Sequence, residues 1–376
     1  MNIIVYTADY CETNKKNSRD AQYIHNFAHD IKDKGNNVQV VYLNLGDNKE
    51  TTKRRRIRML PFIPSCIEYE YEDVSVFKIN CIARNKNGHC RIPSVQTRYI
   101  QNRIYELKER LQWEIDKIYV HFPTFFVGVD NIVNNEVRSL AIFHPRDIEN
   151  LKSGEKETEN FVKAFGRWGA CNSDIHDYLK NEYWRESVLL PGGLSANLIP
   201  DSLFINYKIT RKRKNLKIVC ALDLNDDFKL EWLESFAKKS SAGIELTVLT
   251  GEPVNENEEN CSDDGNKTKV VAIGDDVLRK KELMEADVLL VDKLYKYEKL
   301  QNEAMACGCI PAVLNDDNMF GFYNSNKLLT LPLRNVVALS REDKERIIKV
   351  NYIFAKSITR DEMATRYLYA NNAYSY

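Results

Sequence analysis

Short apolar runs alternate with amphipathic stretches along the whole chain. Asn2 to Tyr6 is nearly all apolar, as expected of a buried first strand. Ser18 to Lys34 carries Ala21, Ile24, Phe27, Ala28 and Ile31 at helical spacing and meets a stop at Gly35. Val38 to Leu43 is the next strand, so the chain opens with a strand–helix–strand unit. Gln96 to Trp113 predicts a long helix with Ile100, Ile104, Leu107 and Leu111 on one face. Ile118 to His121 and Leu140 to Phe143 are two further short buried strands. Ser173 suits an N-cap for a helix from Asp174.

The second half repeats this grammar. Strands are expected at Asn215 to Ala221, Ile244 to Thr250 and Val270 to Ile273, and helices at Phe228 to Lys239 and Val277 to Glu285. Ala286 to Leu314 then reads strand, short helix, strand: ADVLLV, NEAMACG stopped by Gly308, and CIPAVL. Ala304, Ala306 and Gly308 let that helix approach its sheet closely. The expectation is an α/β chain of two doubly wound domains, with ligand loops at the carboxyl ends of the strands. Arg341 to Lys349 and Asp361 to Tyr369 are the last helices. Thr359 to Glu362 fits a capping box.

Composition narrows the class. At 376 residues and 43% hydrophobic content, two ordinary cores are expected. Lys plus Arg and Asp plus Glu balance at 54 each, so overall charge points to no nucleic-acid partner. No apolar run approaches the roughly 20 residues that cross a bilayer. The start, MNIIVYTADY, lacks the basic segment of a signal peptide. The nine cysteines form no C-x-x-C pair, and Cys307 and Cys309 read as small buried packing, which suits a reduced cytoplasmic protein. Lys53 to Arg56, with Arg58, precedes the apolar run Met59 to Pro64. That pairing suits peripheral contact with an anionic membrane at its inner face, or a lipid-linked acceptor.

Glu303-Ala304-Met305-Ala306-Cys307-Gly308 with Pro311 resembles the donor-binding helix of the family 4 glycosyltransferases, which have the GT-B fold. Ser187 to Pro200, with Gly192-Gly193, resembles that family's interdomain segment, and Ile358 to Tyr367 its final helix, which crosses back to the first domain. The resemblance implies two Rossmann-like domains facing a central cleft: 1–190 on the acceptor side, 191–355 holding a nucleotide-sugar, and 356–376 returning to the first. It implies a retaining, metal-independent transferase acting on a glycan, lipid-linked or protein acceptor, with no cofactor beyond the donor. Glu303 would meet the ribose hydroxyls, beside Asn302 and Ala304, and Gly274 the base. Lys293, Lys296, Lys299 and Lys229 would supply charge to the diphosphate. His144, at a strand end in His144-Pro145-Arg146-Asp147, would face the sugar, and His121 would be structural.

The sequence also departs from the family. Eight positions before Glu303, where a second glutamate is expected, stands Tyr295, and the nearest glutamate is Glu298. The first loop, Asn14 to Ser18, has no glycine, although Lys15 and Lys16 add charge. The first strand of the second domain ends Cys220-Ala221-Leu222-Asp223, without the family's Gly-Arg. These departures support a second expectation, a non-catalytic subunit that keeps the fold and scaffolds a partner glycosyltransferase. An epimerase or a phosphorylase of the same architecture is a third.

Overall fold

The computed structural model describes residues 1–13, 17–46, 65–82, 84–86, 89–92, 94–129, 132, 138–211, 215–221, 243–250, 268–272, 276–291, 298–313, 331–332 and 339–370. The chain divides into two compact units. One is Met1–Gly192 with Arg360–Tyr376, and the other is Gly193–Thr359.

The first unit contains β1 (Asn2–Thr7), β2 (Asn37–Gly46), β3 (Ser65–Tyr71), β4 (Val74–Ile82), the ribbon β5 (Arg84–Lys86) and β6 (His89–Arg91), β7 (Lys117–His121), β8 (Arg138–Phe143), β9 (Arg167–Ala170) and β10 (Val188–Leu189). Eight of these build one sheet in the order β10-β9-β8-β7-β1-β2-β4-β3. Neighbours are parallel except β3 and β4. The chain runs outward from β1 through β2 to β4, then returns to the other side of β1 at β7. The strand order therefore reverses at β1 and β7, which opens a crevice at their carboxyl ends.

Helix α1 (Arg19–Asp33) forms because Ser18 caps it, its hydroxyl accepting from the Ala21 N–H at 2.9 Å. The apolar stripe Ala21, Ile24, Phe27, Ala28 and Ile31 is buried as its spacing predicts. Helices α2 (Ser94–Leu111), α3 (Pro145–Lys152), α4 (Lys156–Lys163) and α5 (Ser173–Tyr183) complete the crossovers. The cap of α5 is a correction to the sequence reading. Asn172, not Ser173, accepts the Ile175 N–H, at 2.9 Å.

The second unit begins with α6 (Ser202–Thr210) and contains β11 (Asn215–Ala221), β12 (Gly243–Thr250), β13 (Thr268–Ala272), α7 (Asp276–Glu285), β14 (Val288–Val291), α8 (Glu298–Ala306), β15 (Ile310–Val313), β16 (Leu331–Pro332) and α9 (Arg341–Ser357). Its parallel sheet runs β13-β12-β11-β14-β15-β16 and reverses at β11 and β14. Alternate residues serve two cores. Ile218, Cys220, Val288 and Leu290 pack with Ile205, Ile347 and Tyr352 on one face. Val219, Ala221, Leu289 and Val291 pack with Leu283, Leu300, Ala304 and Cys307 on the other. Cys307 and Cys309 are buried, as their spacing beside Gly308 suggested. Among the described residues no helix is long and apolar enough to cross a membrane.

The last helix, α10 (Arg360–Ala370), belongs to the first unit. Arg360 grips the Asp30 carboxylate of α1, its Nε 2.9 Å from both oxygens. Tyr119 donates to the Tyr367 carbonyl at 2.8 Å, and Phe27 meets the Tyr367 ring edge-on at 4.4 Å. The return of the tail expected from the sequence is therefore held by an ion pair and an aromatic contact.

Gly308 ends α8 in the left-handed region at φ +73°, and a Cβ there would lie 3.2 Å from both Ile205 and Lys208. Gly308→Ala is expected to destabilise the second unit by about 2 kcal/mol, combining backbone strain with crowding. A lowered urea midpoint for that unit's unfolding transition checks it.

Candidate functional site

The crevice of the first unit gathers its polar chemistry at the strand ends. Thr7 closes β1, and its hydroxyl donates to the Asp9 carbonyl at 2.7 Å, turning the chain. The Asp9 carboxylate accepts from the Ser18 hydroxyl at 2.6 Å. Burial raises the Asp9 carboxyl, against the Ser18 hydrogen bond and the nearby charge of Arg146. His121 ends β7 and His144 follows β8, and their rings meet Nδ1 to Nε2 at 2.9 Å. Both are buried, at 0% and 1% exposure.

Burial, reinforced by the neighbouring His144, holds His121 well below the ordinary histidine range, so His121 is the neutral partner. His121 Nε2 and His144 Nδ1 are buried without a hydrogen bond. His144 Nδ1 lies 3.9 Å from the Asp20 carboxylate, too far for a hydrogen bond but within ion-pair reach. Burial alone would raise Asp20. The imidazole of His144, then Arg146, reverse this and hold it below its usual range.

His144 also sits at the start of α3. Its N–H donates to the Asp147 carboxylate at 2.8 Å, and its ring stacks on Phe122 at 4.2 Å. Asp147 also accepts from the Thr124 N–H at 3.1 Å and hydroxyl at 2.6 Å, and burial pushes its carboxyl up to about 6. Asp147 thus holds the backbone N–H of His144 at the start of α3, while the ring is buried between His121 and Phe122. Arg146 lies exposed over Phe122 and Phe125, at 5.6 and 5.0 Å from their centres. The sequence reading passed over Asp9, Ser18, Asp20 and Arg146. Their signal was position: each follows or precedes a strand end beside the reversal.

In the second unit the candidate carboxylate is not open to solvent. Glu303 is 3% exposed and takes a forked contact from Arg279, Nε to Oε2 at 2.8 Å and Nη2 to Oε1 at 3.2 Å. Arg279 comes from α7, one helix earlier. Lys299 is exposed, its ammonium 3.9 Å from Glu303. Asn302 is 2% exposed with its side-chain oxygen buried and unpartnered, and Ala304 is fully buried against the sheet. The structure thus brings Glu303, Asn302, Ala304 and Lys299 together on α8. Glu298 begins that helix. Tyr295, Gly274, Lys293, Lys296 and Lys229 lie outside the described residues, as do Lys15, Lys16 and Lys53 to Arg58.

Two other groups are accounted for by structure. His29, Asp30 and Asp33 bring three metal-type ligand atoms within 4.8 Å, but Asp30 is held by Arg360. Lys208 is buried, yet its ammonium donates to the Leu283 carbonyl at 3.1 Å and the Cys307 carbonyl at 2.6 Å. It fastens the ends of α7 and α8 together.

No known family model matches this sequence, and no curated protein does. Solved structures match it over nearly its whole length. A glycosyltransferase from Rickettsia africae aligns at 10% identity and a TM-score of 0.58, covering 98% of this chain and 97% of that one. Sucrose-phosphate synthase from Thermosynechococcus elongatus aligns at 11% and 0.55, covering 98% and 97%. UDP-GlcNAc 2-epimerase from Neisseria meningitidis, bound to UDP-GlcNAc, aligns at 12% and 0.53, covering 98% and 99%. The chain has the GT-B fold.

Two outcomes follow from the site's electrostatics. Folding keeps His121 neutral, whereas the unfolded chain protonates it near pH 6.5. Its stability contribution is therefore full above about pH 6.5 and is lost on acidification, by up to ~1.4 kcal/mol per pH unit. The stability gap between wild type and His121→Asn should shrink between about pH 7 and about pH 5.5, read by urea unfolding. Arg279→Ala strands the Glu303 carboxylate and is expected to cost the second unit about 3–5 kcal/mol. Arg279→Ala combined with Glu303→Leu should recover most of that loss.

Proposed function

We propose that this chain is a glycosyltransferase moving a sugar from a nucleotide-sugar donor to a glycan, lipid-linked or protein acceptor, with retention and without a metal. The observation that carries the reading is the full-length match to GT-B structures, one bound to UDP-GlcNAc and another to UDP-2-fluoro glucose. In this reading the second unit holds the nucleotide. Glu303 offers two acceptor oxygens to the ribose diol, with Arg279 fixing the carboxylate's orientation. Gly274 approaches the base. Lys293, Lys296, Lys299 and Lys229, with the amides at the start of α8, meet the diphosphate.

In the transfer the anomeric carbon–oxygen bond to the diphosphate breaks. A bond from that carbon to the acceptor oxygen forms, and the acceptor's proton passes to the departing phosphate. His144 orders a sugar hydroxyl through its unpartnered ring nitrogen, and neutral His121 fixes the imidazole from behind. Glu298 or Tyr295 occupies the place of the family's first glutamate. Peripheral membrane contact through Lys53 to Arg58 belongs to the same proposal.

One observation favours the non-catalytic alternative. Both oxygens of Glu303 are already engaged by Arg279. A ribose would then have to share a carboxylate the protein uses for its own packing.

Calorimetry with a panel of UDP- and other nucleotide-sugars separates the two. The transferase reading expects a bound donor, weakened about tenfold by Glu303→Gln, a loss of about 1.4 kcal/mol. It also expects donor turnover, followed by mass spectrometry, that His144→Ala reduces far more than it reduces stability. A protein that binds no donor is the scaffold. Unchanged affinity in Glu303→Gln removes Glu303 from the site. Release of free nucleotide from the donor with no acceptor present indicates epimerase chemistry instead.

A further inference from the structure

The outer face of the first unit carries an aromatic surface that the transfer chemistry does not use. Helix α5 ends at Trp184, which adopts the left-handed conformation (φ 53°, ψ 35°) normally left to glycine or asparagine. Its side chain is 92% exposed. A tryptophan at a strained helix end, turned fully into water, contributes nothing to the core.

Trp184 lines a groove of about 620 Å³ formed by α3, α4 and α5. Tyr178 and Tyr183 line it with ring centres 6.3 Å apart. Tyr183 is fixed from behind by the buried Trp168 at 5.7 Å. Lys152 covers the Tyr178 ring at 5.6 Å and Lys163 the Tyr183 ring at 5.7 Å, so the open aromatic face is that of Trp184. Two carboxylates complete the rim. Glu159 is shared with Lys163 at 3.3 Å, while Glu182, among the described residues, makes no ion pair. Burial pushes the Tyr183 phenol up to about 12 and raises that of Tyr178, so both hydroxyls keep their protons at neutral pH.

We infer that this groove binds a neutral oligosaccharide, with a pyranose ring stacked on Trp184 and its hydroxyls meeting Glu182, Glu159 and the two tyrosines. The chemistry selects that ligand. A pyranose presents a face of C–H bonds to an aromatic ring and a rim of hydroxyls to carboxylates and phenols. Two lysines and two glutamates cancel, so the groove has no net attraction for an anionic lipid surface or a charged peptide. Its walls are rings and charged groups with one buried aliphatic side chain, Leu151, and lack the cluster of exposed aliphatic side chains that a protein partner buries at its centre. A chain anchored here is held by a surface separate from the residues assigned to the donor.

The inference stands apart from the donor-site reading, because binding here needs neither nucleotide nor turnover. The test applies the full chain to an array of immobilised neutral glycans. Titrations with maltohexaose and chitohexaose, followed by tryptophan fluorescence, give the affinities. The expected result is at least one neutral glycan retained by wild type, bound about tenfold more weakly by Trp184→Ala and near normally by Trp184→Phe. Glu303→Gln should bind that glycan as wild type does, whatever it does to nucleotide affinity. An array blank for wild type overturns the proposal. So does binding that Trp184→Ala leaves intact, or binding only to phosphatidylglycerol vesicles. Trp184 is exposed, so its loss leaves the core intact and a negative result is not a folding failure.

Discussion

A parallel sheet covered by helices on both faces has nowhere to put a charge except at a strand end or against an opposite charge. Both units obey that constraint, and their chemistry follows from it. In the second unit β11 and β14 are apolar on both sides, and α8 rests on the sheet through Leu300 and Ala304, with Cys307 just beyond its end. The cations that reach this layer arrive already matched. Lys208 spends its donors on the carbonyl ends of α7 and α8, and Arg279 spends its fork on Glu303. In the first unit Lys78, buried in β4, is likewise matched by Glu12 at 2.5 Å.

The two candidate clusters answer the constraint differently. The Arg279–Glu303 pair is complete, its charges neutralised and its hydrogen bonds directed. Such a pair adds little net stability relative to an apolar replacement, yet is costly to break, which makes it an orienting device more than a source of stability. The histidine pair is incomplete. One contact joins the rings, and each ring keeps a buried nitrogen without a partner. A buried polar atom left unmatched is a standing penalty, and such atoms concentrate where a ligand completes them. The strand ends of β7 and β8 carry two such atoms, and Asn302 beside Glu303 carries another.

What the sequence made legible was whatever depends on local pattern. The strands at Asn2 to Tyr6 and Leu140 to Phe143, the stripe of α1 and the glycine stop at Gly308 are all set by spacing and burial, and the structure shows each; the return of the tail came from the family resemblance and is also found. Other features depend on the tertiary path. Arg279 reaches Glu303 across 24 positions, and His121 reaches His144 across 23, so neither pairing has a periodic signature. The cap of α5 fell to Asn172 because a side-chain amide one residue earlier reaches the same N–H. The Glu72–Asp73 turn between β3 and β4 holds two positive φ values without a glycine. It escapes any reading that looks for Asn-Gly or Asp-Gly pairs. His25 bonds the Glu72 carboxylate at 2.9 Å and so steadies the turn from α1.

The match to other GT-B structures at 10–12% identity explains why the fold could be read and the site only in part. Burial on two faces of a parallel sheet demands apolar residues of suitable size at alternating positions, and very many sequences meet that demand. A phosphate or sugar site demands particular atoms at particular points, and few sequences meet it. Two chains of this fold can therefore share the apolar pattern while placing their charges differently. Here a glycine-free first loop and the absence of arginine after β11 stand beside a cation, Arg279 on α7, that contacts Glu303. Arg279 sets the direction of the Glu303 carboxylate through contacts to both of its oxygens. The orientation of the motif's carboxylate therefore depends on a contact between two helices of one unit, which the motif itself does not contain.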